Sequence, residues 1–376
     1  MKITVIGPTF PYKGGISHYN TVFCQKLIKK HKIDAISFKR QYPKLLFPGK
    51  DQKDNKSKDR IKFRATEIID TLNPFTWLKA VKRIHEFCPE IVLLYWWTPY
   101  FTFNFFTISY LVKKLTRSKV VFLCHNVAPH EARFVDKFLT KIGLSYADSF
   151  IVHGEEEKET LKSMVPKAKI TKHVHPTYDI FKEKFKKQDI NLKLRKKVIL
   201  FFGYVRKYKG LDHLLDALPE LVKKYPDLDL LIVGEFWKDS DETLEKIKNH
   251  PAKDHIKLVD SYVPNEKVGN YFEVCDICVL PYNTATNSGI VQTAFAFEKP
   301  CVVTRVGALP EVVTHDKTGL VIDRKSPKAI VEAVSHFYDK NKAKEYKQNI
   351  IKEKDRFSWD RLVEVLEKQK WNLKSQ

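Results

Sequence analysis

The stretch Ile277-Cys-Val-Leu280-Pro-Tyr-Asn-Thr-Ala-Thr-Asn-Ser288-Gly289-Ile-Val-Gln-Thr293-Ala-Phe-Ala-Phe-Glu-Lys-Pro300 decides the fold. Its uninterrupted apolar start, Ile277 to Leu280, is the pattern of a strand buried on both faces. A hydroxyl-rich turn follows, and a helix is predicted to open over 291–297. A strand, a Ser-Gly turn and a helix N-terminus form an anion site, because the first backbone N–H groups of a helix lack intrahelical partners and its dipole favours negative charge. The next segment, Pro300-Cys-Val-Val-Thr-Arg-Val-Gly307-Ala-Leu-Pro-Glu311, repeats the arrangement with a short strand, a Gly turn and an acidic residue opening a helix.

Outward from this point, apolar runs alternate with helical patterns. In the second half they fall at 197–202, 228–233, 256–259, 277–280, 301–304 and 320–322. In the first half they fall at 3–6, 33–38, 91–96, 120–124, 149–153 and 170–175. Strands alternating with helices predict parallel, doubly wound sheets, and two such series predict two Rossmann-like domains. We assign 1–178 to an N-terminal Rossmann-like domain, 179–196 to a lysine-rich linker, 197–356 to a C-terminal Rossmann-like domain and 357–376 to a terminal helix. In that helix Ser358 is the predicted cap. His175-Pro176 reads as the hinge.

Three further loops carry candidate chemistry. Gly7-Pro-Thr-Phe-Pro-Tyr-Lys-Gly14-Gly15-Ile-Ser-His18 follows the first strand, and paired glycines there let a ligand approach the backbone closely. Phe201-Phe-Gly203-Tyr-Val-Arg206-Lys-Tyr-Lys209-Gly210 places cations after a strand: Arg forks onto phosphate oxygens and Lys acts as a point charge. Cys124-His125-Asn126 ends a strand where doubly wound sheets customarily bind ligands, and His130 and Glu131 follow it. Gly234-Glu235 and Tyr262-Val263 close two more strands.

In this order the loops resemble the glycosyltransferases of family 4, over nearly the whole chain. That family's usual pair of glutamates would fall at Ala285 and Thr293, so the resemblance is to a Ser-Gly subgroup without them. It implies a GT-B fold, with two Rossmann-like domains facing across a central cleft and the last helix crossing back to the first domain. It further implies a retaining, metal-independent hexosyl transfer, with His125, Arg206 and Lys209 in catalytic roles and no cofactor. The substrate would be held by Gly14, Gly15, His18, Asn126, Gly203, Gly234, Glu235, Tyr262, Val263, Thr286, Ser288, Gly289, Ile290, Thr293 and Glu311. The partners would be a nucleotide-sugar donor and a glycan or lipid-linked acceptor. Two other readings stay open: a GT-B phosphorylase or epimerase, and a catalytically degenerate anion- or membrane-binding protein.

Composition bounds the rest. The chain has 376 residues, 43% hydrophobic and 30% charged, as in a globular protein of two domains. Six scattered cysteines without a secretion signal indicate a reducing, cytoplasmic setting. Cys275-Asp-Ile-Cys278 lacks the second pair that a zinc site needs. A net charge of +22 points to an anionic surface, and with no nucleic-acid motif present the inner face of a membrane is favoured. The aromatic run 95–101 is the expected point of peripheral attachment. The longer uncharged stretch 91–112 contains Pro99 and Asn104, and reads as strand, loop and helix rather than a membrane span.

Overall fold

The computed structural model describes residues 1–43, 51–57, 63–127, 134–183, 185–237 and 240–370. His130 and Glu131 lie outside them. The chain divides into two compact units: 1–55, 60–174 and 358–376 make the first, and 56–59 with 175–357 the second.

The first unit contains β1 (Lys2–Ile6), α1 (Gly15–Leu27), β2 (Lys32–Arg40), β3 (Thr66–Asp70), α2 (Pro74–Phe87), β4 (Ile91–Trp96), α3 (Thr102–Leu115), β5 (Lys119–Cys124), α4 (Phe134–Gly143), β6 (Ser149–Val152), α5 (Glu155–Met164) and β7 (Ile170–Lys172). All its strands are parallel, in the order β3-β2-β1-β4-β5-β6-β7.

The second unit contains α6 (Asp179–Glu183), β8 (Lys197–Phe202), α7 (Leu211–Lys224), β9 (Leu228–Val233), α8 (Asp241–Lys248), β10 (Ile256–Val259), α9 (Asn265–Val274), β11 (Ile277–Leu280), α10 (Gly289–Ala296), β12 (Cys301–Thr304), α11 (Leu309–Val312), β13 (Gly319–Ile322), α12 (Pro327–Asp339) and α13 (Ala343–Glu353). Its parallel order is β10-β9-β8-β11-β12-β13. Each order reverses at one point, between β1 and β4 in the first sheet and between β8 and β11 in the second. Ligands of doubly wound sheets collect at such points, beyond the carboxyl ends of the strands.

The final helix, α14 (Trp359–Gln369), belongs to the first unit. Ser358 caps it, accepting from the Asp360 N–H at 3.1 Å. Trp359 is buried, its ring 4.9 Å from Tyr19 and 6.1 Å from Phe23 on α1. Glu367 pairs with His31 at 2.9 Å, and Gln369 donates to Thr171 at 3.1 Å.

Three expectations change. The segment 179–196 was expected to be a linker, but it lies within the second unit. Its aromatics explain why: Tyr178, at its edge, is buried, the Phe185 ring lies 5.7 Å from Phe297, and Lys182 pairs with Glu298 at 2.5 Å. His175, buried, opens the longer segment of that unit, 175–357. The aromatic run 95–101 is not a membrane anchor. Tyr95, Trp96 and Phe101 are fully buried, and Trp97 packs on Phe101 at 4.3 Å between ring centres. Trp96, Trp97 and Phe101 belong to one apolar cluster, while Tyr95 packs against Tyr19 and His125. Finally, β3 is an edge strand that sequence reasoning missed. Among the described residues, no helix is long and apolar enough to cross a membrane.

Candidate active site

In the second unit the turns after the strands interlock. Gly203 follows β8 at φ +101, and a Cβ there would lie 3.1 Å from Ile290 and 3.3 Å from Lys209 Nζ. The absence of a side chain thus lets the cation and the start of α10 reach the strand end. Gly210, at φ +65, is tighter still: a Cβ would meet the Pro281 carbonyl oxygen at 2.1 Å. Hydrogen bonds hold the same contact, with the Asn283 N–H donating to the Tyr208 carbonyl at 2.7 Å and His213 Nε2 meeting Asn283 Oδ1 at 3.0 Å. The turn after β12 joins through the Ala308 N–H, which donates to the Thr286 carbonyl at 2.9 Å. Glu311 lies on the short α11 just beyond it.

Lys209 is buried at 8% exposure, and among the described residues no carboxylate pairs with it. Its ammonium stands 5.7 Å from the centre of the Tyr282 ring. Burial pushes it down from its ordinary 10.5 to about 8, and the Arg206 charge adds to the effect. A lysine on an exposed basic loop would not be shifted in this way. Arg206 packs over aromatics, its guanidinium carbon 4.6 Å from the Trp237 ring centre and 5.8 Å from that of Tyr208. Tyr204 stands 5.0 Å from Trp237 and 6.4 Å from Tyr262, so three strand ends share one aromatic cluster. Gly234, Glu235 and Val263 lie on the same turns, after β9 and β10, with Glu235 and Val263 buried.

Ser288 caps α10, its hydroxyl accepting from the Val291 N–H at 3.5 Å. The N–H groups of Gly289 and Ile290 precede the first intrahelical bond and point out of the helix end. Thr293, where the family's second glutamate would stand, turns its hydroxyl back to the Gly289 carbonyl at 2.8 Å and is buried, so it offers nothing outward. Its neighbour Gln292 was missed by sequence reasoning. It is buried, and its side-chain oxygen has no hydrogen-bond partner among the described residues.

The candidates of the first unit gather at the carboxyl ends of its strands. Gly14 caps α1 at φ +103, with nothing within 4 Å of where a Cβ would be. Gly15 opens that helix, and His18 Nδ1 meets the Gly14 carbonyl at 2.9 Å. His125 is buried against Tyr19 (4.6 Å), Tyr95 (5.6 Å, stacked) and His153 (5.4 Å), and Asn126 follows it, half-buried. His153, also missed, ends β6 as His125 ends β5, and its Nδ1 meets the His173 carbonyl at 2.8 Å.

Cys275 and Cys278 are buried thiols, pushed up by burial. No group of three or more His, Cys, Asp or Glu able to hold a metal occurs among the described residues. Asp227-Leu-Asp229 has the spacing of a metal-binding Asp-x-Asp, but Asp227 pairs with Lys197 at 2.7 Å and Asp229 with Arg195 at 2.5 Å. Both lie at the amino end of the strands, away from the turns described above.

Comparison with known proteins centres on the second unit. The family described as glycosyl transferases group 1 matches residues 182–355. Spore coat protein SA of Bacillus subtilis is 27% identical over 180 residues, 46% of this chain and 48% of that protein. D-inositol 3-phosphate glycosyltransferase of Corynebacterium glutamicum is 25% identical over 179 residues, 46% of this chain and 43% of that protein. The match therefore spans about half the length of these curated relatives. In architecture the chain is similar to Anabaena Alr3699/HepE, solved in complex with UDP, with a TM-score of 0.74 over 98% of this chain and 100% of that one at 14% identity. Residues 182–355 thus resemble the glycosyl transferases group 1 family, and the chain as a whole has the GT-B fold of two parallel α/β sheets.

Proposed function

We propose that this protein is a retaining glycosyltransferase that moves a hexose-type sugar from a nucleoside diphosphate donor to an acceptor hydroxyl. The observation that carries the reading is Lys209, a buried ammonium with no carboxylate partner among the described residues. It stands against the strand end that also receives Ile290, at the start of α10. A buried charge is costly unless a counter-ion reaches it. A diphosphate supplies that charge, and the Gly289 and Ile290 N–H groups supply matching donors. The UDP of the Anabaena complex has this chemistry.

In the reaction, the bond between the sugar's anomeric carbon and the diphosphate oxygen breaks, and the acceptor oxygen bonds to that carbon on the same face. The acceptor proton leaves with the diphosphate. Negative charge grows on the diphosphate, where Lys209, helped by Arg206, stabilises it most. The aromatic turns bearing Tyr262, Val263, Gly234 and Glu235 take the nucleobase and ribose, while Thr286, Ser288 and Glu311 hold phosphate and sugar. His125 acts on the transferred sugar, and Gly14, Gly15, His18 and Asn126 serve the acceptor side. That acceptor is a glycan or a lipid-linked glycan, met in the cytoplasm or at the inner face of a membrane. The reaction is metal-independent, because cations and helix N–H groups already neutralise the diphosphate.

A thermal-shift panel of UDP-, GDP-, ADP- and dTDP-sugars tests the donor site: at least one is expected to raise the melting temperature, and a shift from none would sink the assignment. Transfer is expected to be unchanged by a chelator. Loss on chelation, with rescue by magnesium or manganese, would overturn metal independence. A second reading, an anion-binding protein without turnover, draws on the inward-turned Thr293 hydroxyl. Transfer or hydrolysis of any nucleotide sugar rejects it.

A further inference from the structure

Helices α2, α3 and α4 pack side by side. Each leads from one strand to the next across the first sheet in the same direction, so right-handed connections put all three on one face. Their N-termini therefore share the edge where the strands end. Each helix opens with an exposed phenylalanine: Phe75 at 81% exposure, Phe103 at 64% and Phe134 at 84%. Leu72, Leu78, Val135 and Phe138 are exposed around them. Hydrogen bonds tie the three helix regions to one another. The Thr71 hydroxyl meets that of Tyr100 at 3.2 Å, beside α3, and the Thr102 hydroxyl donates to the Leu139 carbonyl of α4 at 3.1 Å.

A water-facing surface does not normally carry large apolar side chains at the start of three neighbouring helices. Charge identifies what covers them. Lys79 and Lys82 on α2, and Lys137 and Lys141 on α4, are exposed on the same helices. Neither α2 nor α3 has an acidic residue in its first turn, so no carboxylate offsets the positive ends of these two helices. A second copy of this chain would set a net charge of +22 against another +22, which disfavours self-association.

We propose that this rim docks on an anionic lipid bilayer, with the phenylalanine rings in the headgroup–acyl boundary and the lysines on the lipid charges. The surface differs from the aromatic run 95–101, whose Tyr95, Trp96 and Phe101 are core. It deepens the reading of a membrane-borne acceptor given above, and rests on that reading for its purpose.

The test is flotation with phosphatidylcholine vesicles, with and without phosphatidylglycerol. Wild type should float with the anionic vesicles at low salt, should be released at high salt, and should not float with neutral ones. The triple variant Phe75→Ser, Phe134→Ser, Phe138→Ser should bind at least tenfold less. The pair Lys137→Glu, Lys141→Glu should lose several-fold and become less salt-sensitive. All these side chains are exposed, so melting temperature and nucleotide-sugar binding should match wild type in both variants. Wild-type flotation of the triple variant overturns the proposal, as does absence of flotation altogether, or a dimer in size exclusion that the triple variant dissolves. Flotation as expected without any nucleotide-sugar binding would leave the surface standing and remove the donor reading instead.

Discussion

Lys209→Met is expected to lower transfer by roughly 10²–10³-fold, the cost of losing one preorganised charge donor, while making the fold more stable. The two effects have one cause. Burial holds the folded-state pKa of Lys209 at about 8 against an ordinary 10.5, so keeping the ammonium charged costs the native state up to about 3 kcal/mol near neutral pH. The sign is opposite to that of a stabilising ion pair. The penalty is complete below the folded-state value near 8, shrinks as pH rises from there towards 10.5, and vanishes above it. Wild type should therefore close its stability gap to Lys209→Met across that window in denaturant titrations. A bound diphosphate reverses the shift, so donor affinity should weaken as pH rises through about 8 in wild type and stay flat in the variant. Arg206→Ala should lose less, because that guanidinium rests on Trp237. Normal donor binding by Lys209→Met would sink the proposed diphosphate site.

Trp359→Ala is expected to destabilise the first unit by roughly 3–5 kcal/mol, the usual cost of deleting a large buried aromatic. Trp359 opens α14 and inserts between Tyr19 and Phe23 of α1. Tyr19 in turn packs against His125 and His153, so the loss should loosen those rings too. Denaturant unfolding with separate probes for each unit checks this. A first-unit midpoint unchanged in the variant would mean that the helix contributes little to that core.

Much of this architecture is legible in sequence because parallel strands buried on both faces become uninterrupted apolar runs. Lys197–Phe202, Leu228–Val233, Ile256–Val259, Ile277–Leu280 and Cys301–Thr304 match the predicted spans. Strand β3 was not legible: Thr66-Glu-Ile-Ile-Asp70 offers two buried residues among polar ones and pairs irregularly at a sheet edge. The glycine turns and cations of the donor side were visible as motifs, but the burial of Lys209 was not, because burial comes from turns distant in sequence. His153 could have been found by the rule that singled out His125, a histidine at a strand's carboxyl end. Gln292 left no signal, since a lone amide early in an apolar helix reads as a solvent-facing residue. The run Tyr95–Phe101 misled because amphipathic rings look alike in a core and at a membrane.

The placement of α14 also bears on how the chain is made. Its partner residues on α1 leave the ribosome first, and the whole of 175–357 is synthesised before the helix that covers them. At ordinary rates of about 5–20 residues per second, the first unit waits roughly 10–40 s for this helix while 175–357 is made. Residues 175–357 are therefore all synthesised before the helix that covers α1, so the second unit can fold before the first is sealed. Arrested nascent chains stopped before Ser358 should then show a protease-resistant second unit and a sensitive first one. Equal resistance of the two would show that the first unit closes without its final helix.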